Sequence, residues 1–445
     1  MFKVFGDKII WWISILLFLT SVLLVYSSGG SESIATHIPH LIMGLGVIFI
    51  FSRFNYKYFT NLSTILLILS GLLLFYLLVS SILNPVNRGG VLAARWIQLG
   101  FISFQPSELA KYSLILFLCR NLVLYTTSLG SFSNFFMYII FPSVIICGLI
   151  FPSNLSTVVL ISCIILFLVF ISGYSLVLFF KYLIVPLLIS LFLFCSLLLL
   201  PQIDAVEKVL PRLTTWKNRI INLSISKEFI VIKNAGENGE NIPRLALEFN
   251  VSEDKILSWN YLDSFYNIEK DQTIFIITKP SNVLTWVHRK NYDSGDVVSN
   301  NYQIDSALSA IHRGGVLGKG AGGSYYKKLL PEAKSDFIFA ILLEEYGFIG
   351  GCVVLVFYLV FYQRILILSI KSKDDFSSLL LLGLGTTIVL QALLHMSVSV
   401  NLIPVTGQTL PLVSKGGSSV WVTSLAFGII LNISHQINNQ EQKIK

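Results

Sequence analysis

The chain has 445 residues, of which 54% are apolar and 13% charged, with a mean hydropathy of +0.74. This composition excludes a soluble globule of several domains and fits a polytopic membrane protein. The net charge is +8; residues 201–336 hold 17 of the 32 Lys and Arg and 16 of the 24 Asp and Glu, leaving 15 basic and 8 acidic residues elsewhere. A basic membrane portion suits an anionic lipid or lipid-linked substrate, and ordinary positive-inside charge accounts for it equally well.

In chain order, apolar runs near the ~20 residues that a bilayer requires predict ten spans, near 9–27, 37–52, 63–84, 107–125, 134–151, 155–172, 175–200, 337–362, 378–400 and 417–434. The first, IIWWISILLFLTSVLLVY, follows Lys3 and Lys8 and reads as a membrane helix rather than a leader peptide, being long and followed by many more. Short loops on one side carry Lys3, Lys8, Arg53, Lys57, Arg364, Lys371, Lys373, Lys443 and Lys445, which makes that side cytoplasmic. Three regions follow: residues 1–200 with spans one to seven, an extracytoplasmic loop over 201–336, and residues 337–445 with the last three spans and a short cytoplasmic tail. The expected fold is an all-α polytopic membrane protein with about ten transmembrane helices. The five cysteines (Cys119, Cys147, Cys163, Cys195, Cys352) all fall in apolar runs without metal-ligand spacing, so neither a disulfide framework nor a zinc site is implied.

Within the large loop, FIVIK (229–233) and TIFIIT (273–278) alternate like strands. ENIPRLALEF (240–249) and SEDKILSWN (252–260) read as helices, the second capped by Ser252. Together they predict a small β-α-α-β module over about 228–279.

Ionisable residues inside the spans are few and are candidates for function by default. Glu108 and Lys111, in QPSELAK, are three apart on one helix face and can pair, as a structural bridge or as part of a substrate site. Glu344 and Glu345 lie two turns into the eighth span. Asp336 is the last charge before that span. It serves either as a helix cap or as a group that handles a proton at the membrane surface.

Three stretches in this order, RWIQLGFISFQPSELAK (95–111), GVLGKGAGGSYYKKLLPEAKSDFIFAILLEEYGFIG (315–350) and NLIPVTGQTLPLVSKGGSS (401–419), resemble the SEDS family of FtsW, RodA and the sporulation homologue. The PEA before the acid and TGQTLP are more similar to the FtsW branch. The resemblance implies a peptidoglycan glycosyltransferase of cell division or cell-wall growth. Such an enzyme polymerises lipid II, the undecaprenyl-pyrophosphoryl disaccharide-pentapeptide, on the outer face of the plasma membrane. It works beside a class B penicillin-binding protein transpeptidase, within a division or elongation complex. The family's essential acid, in its (T/S)DFIFA motif, falls on Asp336. The family's substrate-cavity residues fall on Arg95, Glu108 and Lys111, and its arginine after the seventh span on Arg212, in LPRLTTW. As general base, Asp336 would accept the proton of the attacking sugar hydroxyl. Arg95, Lys111, Arg212 and Lys319 would meet the leaving pyrophosphate, with a divalent cation as a further source of positive charge. FPSNLST (151–157) departs from the family's Gln-Pro-Asp-Leu-Gly-Thr, with Asn154 for an acid and Ser156 for a glycine, which questions any charge-dependent role for that bend.

The loop module resembles LysM, a fold that binds N-acetylglucosamine-containing glycans; the resemblance implies sugar contacts at the turns holding Gly239, Asn241, Leu262 and Asp263. The alternative is a structural insert without sugar binding. For the whole chain, two other classes stay open: a transporter that flips lipid II, and a scaffold anchored to the wall through the module. A flippase has no need of an acid at the outer lip, whereas a polymerase does.

Overall fold

The computed structural model describes residues 5–83, 95–99, 102–125, 132–173, 229–235, 242–249, 251–260, 272–278, 297–298, 302–330 and 332–444. Nine of the ten apolar runs fall on helices there, and the seventh, 175–200, lies outside the described residues, as do Arg212, Gly239, Asn241, Leu262 and Asp263.

Helix α1 (Lys8–Phe51) is broken at Gly30, where φ is 65° and ψ −166°. In a straight helix Ser21 and His37 would be separated by ~24 Å. Instead Ser21 Oγ lies 2.7 Å from His37 Nε2, and Phe18 packs close to Gly44. So α1 is two membrane helices folded back at Gly30, matching the first two apolar runs, and the left-handed φ at the turn suits glycine.

Helix α2 (Lys57–Leu83) packs on α3 (Pro106–Leu124), which enters the bundle behind a hairpin of β1 (Ile97–Leu99) and β2 (Ile102–Phe104). The hairpin pairs Ile97 with Phe104, Gln98 with Ser103 and Leu99 with Ile102. Proline at the first turn costs α3 no hydrogen bond. Polar and apolar side chains alike are buried along α3, which marks it as the central helix.

Helix α4 (Phe132–Phe135) runs through a π turn (Phe136–Ile140) into α5 (Phe141–Ile150). Pro142 has no N–H to offer the Tyr138 carbonyl one turn back, and Asn121 Nδ2 donates to that oxygen instead, at 3.0 Å. Helix α6 (Leu155–Ile171) begins at Asn154, whose side chain accepts from Thr157 N.

In the large loop, β3 (Phe229–Ala235) and β4 (Gln272–Thr278) pair antiparallel over seven positions, from Phe229 with Thr278 to Ala235 with Gln272. Between them lie α7 (Ile242–Phe249) and α8 (Glu253–Asn260). Ile242, Leu245, Ala246 and Phe249 are buried at the i, i+3, i+4, i+7 spacing of one helix face, and Ile256 and Ile276 are buried too. The predicted β-α-α-β order is thus present. A short β5 (Val297–Val298), which the sequence did not suggest, pairs with the other edge of β3.

After α9 (Tyr302–Gly314), α10 (Ile338–Lys371) also consists of two helices, meeting at Gly347 with φ 68° and ψ −171°. Leu343 and Phe339 lie against Gly351, which a straight helix forbids, so the first segment folds back on the second. The predicted eighth span is corrected accordingly: its first turns are a separate short helix that ends at Tyr346. Helices α11 (Asp375–Ser399) and α12 (Gly417–Ile444) complete the bundle, Phe361 of α10 stacking on Phe427 of α12 at 4.8 Å.

Among the described residues six helices are long and apolar enough to cross a membrane. The ten-span count differs because α1 enters as one helix, α3 is too polar, α6 has only 17 residues, and one run is not described.

At one end of the bundle Asp7 caps α1, accepts from Arg364 Nε at 2.7 Å and donates its N–H to Ser434 Oγ at 2.9 Å. Gly417, at the start of α12, lies ~26 Å along the helix from Ser434, close to the ~30 Å of a hydrocarbon core. The chain segments around Gly417 therefore open on the opposite membrane face from the N-terminal cap.

Candidate active site

At that face five separated stretches surround a cavity of about 590 Å³. Thr36 and His40 come from α1, Arg95, Trp96, Ser103 and Gln105 from the β1–β2 hairpin and its flanks, Glu332 and Lys334 to Asp336 from the turn before α10. Gly407 and Thr409, then Lys415 to Gly417, come from the loop between α11 and α12. The hairpin explains why Arg95 and Gln105 share one wall: antiparallel pairing returns the chain to its starting edge. Gln105 N then donates to Ser418 Oγ at 2.9 Å, fixing that edge to the start of α12.

Asp336 sits in a tight turn. Glu332, at the left-handed φ of 54°, offers its carbonyl to the N–H groups of Ser335 (3.1 Å), Asp336 (3.0 Å) and Phe337 (3.3 Å). Ser414 Oγ donates to Ser335 O at 2.7 Å and ties the turn to the α11–α12 loop. The N-cap position of α10 belongs to Phe337, with no side-chain capping bond. Asp336 precedes that position by one residue, and its carboxylate lines the cavity beside Gly407.

Arg95 approaches from the hairpin. Its Nε donates to Ser153 O at 3.0 Å, in the bend before α6, which leaves the guanidinium end toward Gly407. A Cβ on Gly407 would stand 2.8 Å from Arg95 Nη1 and 3.2 Å from Asp336 Oδ2. Gly407 also holds φ at 66°, which L side chains rarely adopt. The two groups with the strongest claim to chemistry thus converge where no side chain intrudes.

The departure at 151–157 has a structural reading. Asn154 is buried and caps α6 with its side-chain oxygen, as an aspartate would, so the bend survives loss of the charge. Ser156 Oγ donates to Thr406 O at 3.2 Å, next to Gly407, a tie that glycine has no side chain to make.

Glu108 and Lys111 do pair, Lys111 Nζ donating to Glu108 Oε2 at 2.8 Å, but they lie beneath the cavity rather than in its lining. Lys111 is 0% exposed and also donates to Gln391 Oε1 at 2.6 Å; Gln391 Nε2 in turn donates to Thr409 O at 3.0 Å. The buried ammonium thereby braces the cavity-lining loop from below, its charge balanced by Glu108.

Lys319 and the two glutamates belong elsewhere. Lys319 is exposed and absent from the cavity lining, and its N–H donates to Glu344 O at 3.0 Å. Gly320 N donates to Glu345 O at 2.9 Å, so the loop satisfies carbonyls left open where the helix ends at Gly347. Buried Glu344 accepts from Arg313 Nη1 at 2.6 Å, Tyr325 N at 2.9 Å, Tyr326 N at 3.3 Å and Ser324 Oγ. Glu345 accepts from Ser27 Oγ. Neither acid faces the cavity or the other; they hold the 315–326 loop and the α1 turn in place.

Sequence reasoning missed Lys334, Lys415, His40 and Gly407 as cavity residues. Lys415 and Gly407 lie inside the quoted TGQTLP and SKGGSS motifs, so their place was signalled but their role was not. Among the described residues no cluster of His, Cys, Asp and Glu could hold a metal ion.

The sequence model of the cell cycle protein family of FtsW, RodA and SpoVE matches residues 7–234 and 270–439, leaving 235–269 of the loop module unmatched. The chain is 28% identical over 408 residues to the probable peptidoglycan glycosyltransferase FtsW of Coxiella burnetii, covering 91% of this chain and 86% of that one. It is 26% identical over 454 residues to the protein of the same name from Buchnera aphidicola, covering 98% and 95%. Among solved structures it is similar to one described as structural coordination of polymerization and crosslinking by a peptidoglycan synthase complex, with TM-score 0.60, 19% identity and coverage of 97% and 98%. It is also similar to the rod shape determining protein RodA of Thermus thermophilus, with TM-score 0.54, 18% identity and 97% of each chain covered. A family match over most of the chain, carried by a helical membrane fold and a cavity built from its three shared motifs, shows that this protein belongs to the FtsW, RodA and SpoVE family.

Proposed function

We propose that Asp336 is the general base of a peptidoglycan glycosyltransferase that polymerises lipid II at the outer membrane face. The protein is a membrane-embedded glycosyltransferase of its family, as the curated relatives named for that activity are. What supports the base assignment is the convergence of Asp336 and Arg95 on Gly407 in a cavity that opens at one membrane face.

In the reaction the 4-hydroxyl oxygen of one lipid-linked disaccharide forms a bond to the anomeric carbon of another. The bond from that carbon to the pyrophosphate oxygen breaks, its electron pair leaving with the polyprenyl pyrophosphate. The hydroxyl proton passes to the Asp336 carboxylate. Arg95, held through Nε, directs its other nitrogens at the place where charge changes hands. Glu108, Lys111 and Gln391 keep the Thr409 wall in place and bind no substrate directly in this reading. The positive-inside rule puts the termini in the cytoplasm and the cavity outside, where the wall is built.

A class B penicillin-binding protein is the proposed partner; the solved structure of a synthase complex that couples polymerization and crosslinking supports it. The β-α-α-β loop module, whose helices the family model skips, is proposed as a LysM-like glycan holder beside the polymerase. The test of the catalytic reading is lipid II polymerisation by the purified protein with its transpeptidase partner, the parent compared with Asp336→Asn. A flippase would move lipid II between leaflets without joining it, and a scaffold would do neither.

A further inference from the structure

Accepting the glycosyltransferase reading, the cavity still lacks an assigned binder for the donor's diphosphate. Arg95 is engaged beside Asp336, Lys111 is sealed beneath the wall, and Lys319 lies outside the lining. Among the described residues, the remaining Lys and Arg side chains that line the cavity are Lys334 and Lys415, Arg212 lying outside the described residues. Neither came from the shared motifs as a functional residue.

Lys415 N donates to Lys334 O at 2.9 Å, so the two residues are neighbours across separate chain segments. Both are half-buried and line the cavity, and among the described residues neither forms an ion pair with a carboxylate. Lys334 Nζ is steered by a hydrogen bond to Ser33 Oγ at 2.7 Å, from the α1 turn. Burial first, and the Lys334 charge second, lower the pKa of Lys415, so the pair is held together against its own repulsion. Two lysines on one cavity wall, each disfavouring the other's charge, would be favoured by an anion bound against them. The wall continues into Gly416 and Gly417, where the 28-residue helix α12 begins and its positive dipole end faces the same space.

We propose that Lys334 and Lys415, backed by the opening amides of α12, hold the diphosphate of the lipid-linked sugar donor. A diphosphate matches the site in charge: its two phosphoryl groups would meet two lysines that line one wall, which act as point charges rather than as a planar fork. The donor's anomeric carbon, one bond from the diphosphate, would then lie toward the Arg95–Asp336 edge, where the acceptor hydroxyl loses its proton. Diphosphate binding and proton removal are thereby divided between the Gly416 edge and the Gly407 edge of one cavity.

The test measures binding of undecaprenyl diphosphate to the full-length purified protein in detergent, with undecaprenyl monophosphate and inorganic pyrophosphate alongside. Lys334→Gln and Lys415→Gln are expected to weaken the diphosphate lipid about tenfold each and the monophosphate lipid about threefold. Lys334→Arg and Lys415→Arg, which keep the charge, should stay within about threefold of the parent and so exclude misfolding as the cause. Inorganic pyrophosphate should compete with the lipid in the parent and lose that competition in both Gln variants. Diphosphate affinity within twofold of the parent in Lys415→Gln, or pyrophosphate competition that both Gln variants retain, would overturn the proposal. Lipid II polymerisation by the parent protein separates the two readings. If lysine-dependent diphosphate binding holds while the parent fails to polymerise lipid II, the glycosyltransferase reading falls and the site stands. If the parent polymerises and the Gln variants bind as it does, only the site falls.

Discussion

Arg95 and Asp336 meet at a glycine: a Cβ on Gly407 would lie 2.8 Å from Nη1 of the first and 3.2 Å from Oδ2 of the second. The contact explains why a residue without a side chain stands in TGQTLP. Gly407→Ala is expected to strain the backbone at φ 66°, by about 1–2 kcal/mol, and to push the two functional groups apart. Polymerisation should drop at least tenfold, while affinity for the lipid diphosphate changes little. Full activity in Gly407→Ala would show that the convergence has no catalytic weight.

Arg95 offers a sharper distinction. If only its charge mattered, lysine would retain most of the activity. The guanidinium, however, spends Nε on Ser153 O while Nη1 reaches the Gly407 edge, and a lysine has one nitrogen for both tasks. Arg95→Lys and Arg95→Ala should therefore lose activity to a similar extent in a lipid II polymerisation assay. Substantial retention by lysine alone would argue for charge over geometry.

Alkaline pH should weaken the lysine wall early. Lys415 has its pKa lowered by burial and by Lys334, so it loses its proton below the ordinary lysine value of ~10.4. The folded chain binds this proton less tightly than the unfolded one, so the contribution of Lys415 to stability grows as pH rises through that window. Function moves the other way: the wall loses a positive charge and diphosphate affinity declines. Lys334, His40, Glu332, Arg95 and Asp336 share the cavity, so the control is the Lys415→Arg variant, in which the decline should move to higher pH. An unchanged pH profile in that variant would assign the decline to another group.

Glu344 is expected to matter for stability rather than chemistry. Glu344→Ala strands Arg313 and two backbone N–H groups and frees the 315–326 loop. The cost should be about 3 kcal/mol, the low end for a broken buried pair, because the Arg313 side chain is 35% exposed and can turn to water. Thermal unfolding in detergent measures it. An unchanged melting temperature together with lost polymerisation would return Glu344 to the list of catalytic candidates.

The β-α-α-β module gives a separable prediction. Isolated residues 228–279 should fold and bind N-acetylglucosamine oligomers weakly. Deleting them from the full protein should leave short-chain synthesis intact while shortening products, because tethering raises the local concentration of glycan. A folded module silent at millimolar sugar, followed by chemical shift, would make the insert a spacer or a docking surface.

Local patterns made much of this fold legible. Nine of the ten apolar runs fall on described helices, and alternation and capping residues located β3, α7, α8 and β4 almost to the residue. Asp336 and Arg95 were reached through motif resemblance. Tertiary geometry hid the rest. Nothing local tells that Lys111 points beneath the cavity while Lys415 lines it, because each is a lone lysine at the edge of an apolar run. The fold-back at Gly347 was equally hidden, since Glu344 and Glu345 look like intramembrane acids until the chain turns and hands them to Arg313 and Ser27. The β1–β2 hairpin was missed because three-residue strands leave too short an alternation to read.

The most direct measurement of the central claim is glycan polymerisation from lipid II by the purified protein with the transpeptidase partner proposed above, comparing the parent with Asp336→Asn. Asparagine keeps the size and hydrogen-bonding reach of the aspartate but cannot take the hydroxyl proton. The account predicts a loss of about 10²–10⁴-fold, the usual contribution of a general base, with folding and lipid diphosphate affinity preserved. Polymerisation by Asp336→Asn at the parent rate would contradict it.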